Sequence, residues 1–79
     1  MKDRLKGLAL SETGFLFDPV TGHMYTLNSV GRMIVERLRE GVAPSALADA
    51  VSERFNVETD EAARDCESFL QKLKEYQLV

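Results

Sequence analysis

The residues that most limit the fold are GFLFDPVTGHMYTLN, running from Gly14 to Asn28. Two short apolar runs flank a turn built for reversal. Asp18 suits the first position of a type I turn, Pro19 presets the second, and Gly22 can take the positive φ that closes such loops. The chain should therefore fold back as a hairpin, Phe15 to Phe17 against His23 to Leu27, with Asn28 ready to cap a helix. A lone two-stranded hairpin is at best marginally stable in water. Apolar side chains also fall on both of its faces: Phe15 and Phe17 oppose Leu16, and Tyr25 and Leu27 oppose Met24. A hairpin with one wet face should alternate more cleanly, so the second face expects cover from helices or from another chain. The alternative is that a small protein leaves some apolar area in water.

Leu8, Ala9 and Leu10 offer a first short strand, with Ser11 to Gly14 turning into Phe15. Everything after the hairpin reads as helix. Val30, Met33, Ile34 and Leu38 keep helical spacing between the Asn28 cap and a stop at Gly41. Pro44 fits the first turn of a second helix whose apolar face is Leu47, Ala50, Val51 and Phe55, ending before Asn56. Thr59 is expected to cap a third helix, with Asp60 and Glu61 favourable at the positive end of its dipole. The inner stripe of that helix is Ala62, Cys66, Phe69, Leu70 and Leu73. At about 100° per residue, Asp65, Lys72 and Tyr76 share one flank of the stripe, while Ala63 and Leu70 mark the other.

With 79 residues, 44% of them hydrophobic and 29% charged, the chain reads as one domain spanning 1–79 with a modest core; a cleft between two lobes is excluded. No run approaches the ~18 apolar residues of a membrane span, and the start, MKDRLKGLALSE, lacks the apolar core of a signal peptide. A cytoplasmic location is the simplest expectation. The single cysteine, Cys66, supplies neither an internal disulfide nor a multi-cysteine metal site, which also suits a reducing compartment.

The formal charge of -3 and pI near 5.0 speak against nucleic acid as a partner, because phosphate contacts need a basic surface. A few strands followed by three short helices do match a winged helix-turn-helix regulator. Its recognition helix would be poorly charged, since Asp60 to Glu75 holds five acids (Asp60, Glu61, Asp65, Glu67, Glu75) and three bases (Arg64, Lys72, Lys74). The basic cluster Arg32, Arg37 and Arg39 is interrupted by Glu36 and Glu40.

Chemical constellations are missing from the sequence. His23 is the only histidine and sits just past a turn, where a solvated role is expected. Cys66 lies in an apolar stripe, where cysteine acts as a small hydrophobe. The glycines are scattered, with no phosphate-cradling loop. Glu58, Asp60, Glu61, Asp65 and Glu67 share no chelating spacing and read as a solvated, dipole-matched face. No catalytic residue, cofactor or metal is expected.

The order of LFDPVTGHMYTLN, VGRMIVERLREG, ADAVSERF and ARDCESFLQKLKEYQLV resembles the PqqD family, small peptide chaperones also described as RiPP recognition elements. The four pieces stand in register across residues 14–79. The resemblance implies an α+β, winged helix-turn-helix-like fold, with an N-terminal three-stranded antiparallel sheet followed by three helices. It also implies non-catalytic binding: the leader of a ribosomally made precursor adds as an antiparallel strand to the third strand, beside the third helix. Carried over, the edge is His23, Met24, Tyr25, Thr26 and Leu27, and the helical wall is Asp65, Phe69, Lys72 and Leu73. A modifying enzyme such as a radical-SAM protein is the implied second partner, and pyrroloquinoline quinone biosynthesis is one pathway that uses the domain. An unpaired edge can also dock on its twin, so a homodimer is open. Two other readings remain: the winged-helix regulator, and a structural or oligomerisation subunit of an enzyme complex. One departure from the family pattern is Gln77, where a glycine usually precedes the final apolar pair.

Overall fold

A computed structural model describes residues 4–79; the first three residues of the domain expected over 1–79 lie outside the described residues. A 3-10 turn, Arg4–Gly7, leads into β1 (Ala9–Leu10), β2 (Phe15–Phe17) and β3 (Met24–Thr26). Then come α1 (Ser29–Arg39), a 3-10 turn at Pro44–Ala46, α2 (Leu47–Phe55) and α3 (Thr59–Glu75). The strands form one antiparallel sheet in the order β1-β2-β3, which leaves β3 at an edge. This is the expected α+β arrangement of a three-stranded sheet followed by three helices.

The hairpin forms as its turn residues dictate. The Asp18 carboxylate accepts the Val20 N–H at 2.9 Å, the Gly22 N–H closes onto the Asp18 carbonyl at 2.8 Å, and Gly22 has φ +80°. At the other end, Gly14 has φ +94°, and a Cβ there would sit 2.7 Å from the Leu27 carbonyl oxygen. Only glycine fits that position, because the strand beside it must come close enough for the Leu27 N–H to reach the Gly14 carbonyl at 2.7 Å.

Strand lengths differ slightly from expectation. The first strand begins at Ala9, because Leu8 turns inward into the core at the end of the 3-10 turn. The third spans Met24–Thr26, although His23 and Leu27 still pair with β2 through single bonds to Asp18 and Gly14. Helix starts differ too. Asn28 caps α1 as expected, its side chain accepting the Gly31 N–H at 2.8 Å. Thr59, by contrast, is the first residue of α3, and Glu58 holds the cap position without a side-chain bond. The acidic first turn, Asp60 and Glu61, remains to favour the helix dipole.

Two apolar clusters meet along α1 and α3. One joins Leu5, Leu8, Leu16, Val35, Leu73 and Leu78 under the sheet; the other joins Met33, Ile34, Leu47, Val51, Ala62 and Cys66 between the helices. The end of α3 is a Schellman motif. The Leu78 N–H reaches the Leu73 carbonyl at 2.9 Å, the Gln77 N–H reaches the Lys74 carbonyl at 2.9 Å, and Gln77 sits at φ +60°. Gln77 thus adopts the left-handed conformation for which glycine is usual, and Leu78 is buried behind it.

Candidate functional site

Register decides what β3 offers. Phe15 pairs with Thr26, Leu16 with Tyr25 and Phe17 with Met24. The Asp18 N–H donates to the His23 carbonyl at 2.9 Å and the Leu27 N–H donates to the Gly14 carbonyl at 2.7 Å. Hydrogen-bonded and non-bonded pairs alternate in an antiparallel ladder, so Tyr25 is the residue between these two that bonds to β2. The N–H and C=O groups of Met24 and Thr26 therefore point away from β2, toward the open edge. Nothing on β3 guards that edge: it carries no proline, no lysine and no bulge.

Side chains divide by the same alternation. Leu10, Leu16 and Tyr25 point to the helices; Ala9, Phe17 and Met24 lie in a row across the outer face, with Phe15 and Thr26 beside them. Leu16 is wholly buried, and the Tyr25 ring meets Tyr76, the C-cap of α3, with centroids 5.0 Å apart. The inner face of the edge strand is thus held against the C-terminal end of α3. His23 is exposed, its ring edge-on to Tyr25 with centroids 6.3 Å apart.

Beside this edge, a cavity of about 250 Å³ opens between the start of α1 and the middle of α3, lined by Asn28, Val30, Gly31, Ile34, Asp65, Ser68, Phe69 and Lys72. A cavity of ~150 Å³ accommodates a benzene ring, so this one has room for a Leu or Phe side chain. Asp65 and Lys72 give it one acidic and one basic wall, with Phe69 between them. Gly31 makes the cavity possible: a Cβ there would lie 2.9 Å from Cε1 of Phe69 and 3.3 Å from the Asn28 side-chain oxygen. Glycine near the start of a helix costs about 1 kcal/mol relative to alanine, and that cost is the sequence signal of a close approach.

Of the residues expected to form the site, His23, Met24, Tyr25, Thr26 and Leu27 lie together along the edge, and Asp65, Phe69 and Lys72 line the cavity. Leu73 is brought elsewhere. It is 3% exposed, in the core with Leu16 and Leu78, and does not line the cavity. Tyr76, on the flank shared by Asp65 and Lys72, meets Tyr25 rather than the cavity, whose lining also takes Asn28, Val30, Gly31, Ile34 and Ser68, none of them among the expected site residues. Cys66 is buried in the helical core, where desolvation, with the Asp65 charge adding to it, pushes its thiol above the ordinary value. Among the described residues no group of histidine, cysteine and carboxylate side chains could hold a metal ion. The arginines of α1 are largely engaged: Arg32 pairs with Glu36 at 3.7 Å and Arg37 with Glu40 at 3.2 Å. No described helix is long and apolar enough to cross a membrane.

Comparison with known proteins fits this geometry. No significant match appears among curated proteins. A solved structure of a lasso peptide synthetase B1 complexed with the leader peptide is similar to this chain, with a TM-score of 0.74 and 31% sequence identity, covering 87% of this chain and 82% of that one. A family model described as Coenzyme PQQ synthesis protein D matches residues 13–79, from the turn before β2 to the last residue; the chain belongs to the PqqD family.

Proposed function

We propose that this protein is a peptide chaperone that captures the leader of a ribosomally made precursor by strand addition at β3 and presents it to a modifying enzyme, with no chemistry of its own. The observation that carries the reading is the unguarded edge of β3, with a mixed polar and apolar cavity opening at Asn28 just past its end, where Asp65 and Lys72 flank Phe69. The family assignment and the likeness to a leader-bound synthetase component support it.

Met24 and Thr26 would supply backbone donors and acceptors to an extended peptide, and the cavity would take one of its side chains between Asp65, Phe69 and Lys72. His23, Tyr25 and Leu27 hold the edge in place by pairing with β2. A disordered leader must give up conformational freedom on docking, so affinity is expected to be moderate, which suits transfer to an enzyme. The engaged arginines of α1 and the acidic third helix favour a peptide over nucleic acid as the partner. A radical-SAM protein is one class of enzyme this chaperone would serve, in the cytoplasm. The same edge would permit a homodimer in the absence of leader.

The test is a titration of the labelled protein with the leader encoded by a short reading frame beside its gene. Amide NMR signals of His23 to Leu27 and of Asp65, Phe69 and Lys72 should shift together. Shifts confined to α2, or no binding at high micromolar peptide, would sink the proposal. Size exclusion with and without the neighbouring modifying enzyme then separates a free carrier from a fixed subunit.

A further inference from the structure

The sheet has a second face that strand addition at β3 would also extend. Ala9, Phe17 and Met24 form a transverse row on it, and Phe15 stands beside the row. Phe15 is 44% exposed, Phe17 37% and Met24 62%. Large apolar side chains grouped in this way on a small protein mark an interaction surface. Met24 belongs to both features: its backbone faces the open edge, and its side chain ends the apolar row at that edge. Whatever pairs with β3 therefore places alternate side chains directly next to Met24 and Thr26 on the outer face.

We propose that the leader is read on both faces of the sheet, and that Met24 is the specificity-determining residue of the outer one. In antiparallel addition, successive leader residues face Thr26, Tyr25 and Met24. The residue facing Tyr25 points inward, to the helix side of the sheet where Tyr25 meets Tyr76. The next residue points outward and extends the Ala9, Phe17, Met24 row; it is apolar. The required leader thus carries two adjacent bulky apolar side chains, one for each face. A groove-only reader would specify the inner residue and leave its outer neighbour free.

This inference rests on strand addition at β3, and the test separates the two. A displayed library of random linear peptides is selected against the full chain and against its Met24→Glu and Met24→Lys variants. Met24 is exposed, so both variants should fold, which circular dichroism checks. Against the native chain, binders should share apolar residues at two adjacent positions. Against Met24→Glu, the second position alone should turn to Lys or Arg, and against Met24→Lys to Asp or Glu. For a pair of peptides differing only as Leu or Lys there, the affinity ratio should change about two- to fivefold between the native chain and Met24→Glu, the range of one cross-strand pair. A preference that changes at no position, or at the inner one, overturns outer-face reading while leaving strand addition standing. If no peptide is selected and the Met24 and Thr26 amides are unperturbed, strand addition falls with it. Unchanged selection together with loss of a dimer in Met24→Glu would assign this face to a second copy of the chain.

Discussion

Proline substitutions at two neighbouring residues of β3 should separate docking from folding. At Met24 the lost N–H lies outside the β2 ladder, the side chain is exposed, and the residue begins its strand, where proline is tolerated. Stability should change by no more than about 1 kcal/mol, or roughly 4–8 °C in Tm for a domain of this size. Binding loses one hydrogen bond of about 1 kcal/mol and leaves a leader carbonyl poorly paired, for about 2 kcal/mol in all. That corresponds to roughly a thirtyfold weaker Kd.

At Tyr25 the N–H is the one that bonds to β2 opposite wholly buried Leu16, and the ring packs on Tyr76. Proline there removes a ladder bond, strands a buried carbonyl and deletes an aromatic contact, together costing roughly 3–5 kcal/mol. A domain of this length has only about 4–12 kcal/mol in total, so Tyr25→Pro should be largely unfolded or melt at a much lower temperature. Thermal circular dichroism and fluorescence anisotropy with labelled leader read the two effects. A folded Met24→Pro that binds like the native chain, or a Tyr25→Pro as stable as the native chain, would refute the register argument.

Three further outcomes follow from the packing. Gln77→Gly should raise stability by about 0.5–1 kcal/mol in thermal melts, since relief of left-handed strain outweighs glycine's extra unfolded freedom. Gly31→Ala places a methyl against Phe69, so leader affinity should fall as the ring moves into the cavity, while melting shifts little because helix propensity offsets the crowding; titration calorimetry checks it. Burial, with Asp65 adding to it, raises the Cys66 thiol, so the unfolded chain releases that proton first. This stabilisation is complete below the unfolded thiol's value of about 8.5 and is lost as pH rises through the folded value. Melts across the alkaline range should show a steeper decline for the native chain than for Cys66→Ala.

How much of this was legible in the sequence depends on the reach of each interaction. The Asp18 turn and the Asn28 cap are closed by bonds spanning two to four residues, so residue identity sufficed to find them. The flank of α3 carrying Asp65 and Lys72 followed from helical spacing. Leu73 was expected both in the inner stripe of α3 and, by the resemblance, in the wall with Asp65, Phe69 and Lys72; its angle coincides with Ala62 and Cys66, and the core takes it. The Gly31 approach to Phe69 and the Tyr25 contact with Tyr76 join residues far apart in the chain, which no local pattern encodes. With Thr59 read as the cap, the start of α3 was expected one residue too late, a common ambiguity at helix ends. The Schellman ending was obscured because glutamine stands where glycine is its usual sign, and buried Leu78 holds the motif together instead.

Strand addition is tested most directly by amide hydrogen exchange along β3, measured residue by residue with and without leader. In the free protein, Tyr25 should exchange slowly and Met24 and Thr26 quickly, because only the first is bonded within the sheet. Saturating leader should slow Met24 and Thr26 toward the rate of Tyr25 while leaving Tyr25 nearly unchanged. If leader binds and the Met24 and Thr26 amides continue to exchange as in the free protein, the peptide does not extend the sheet.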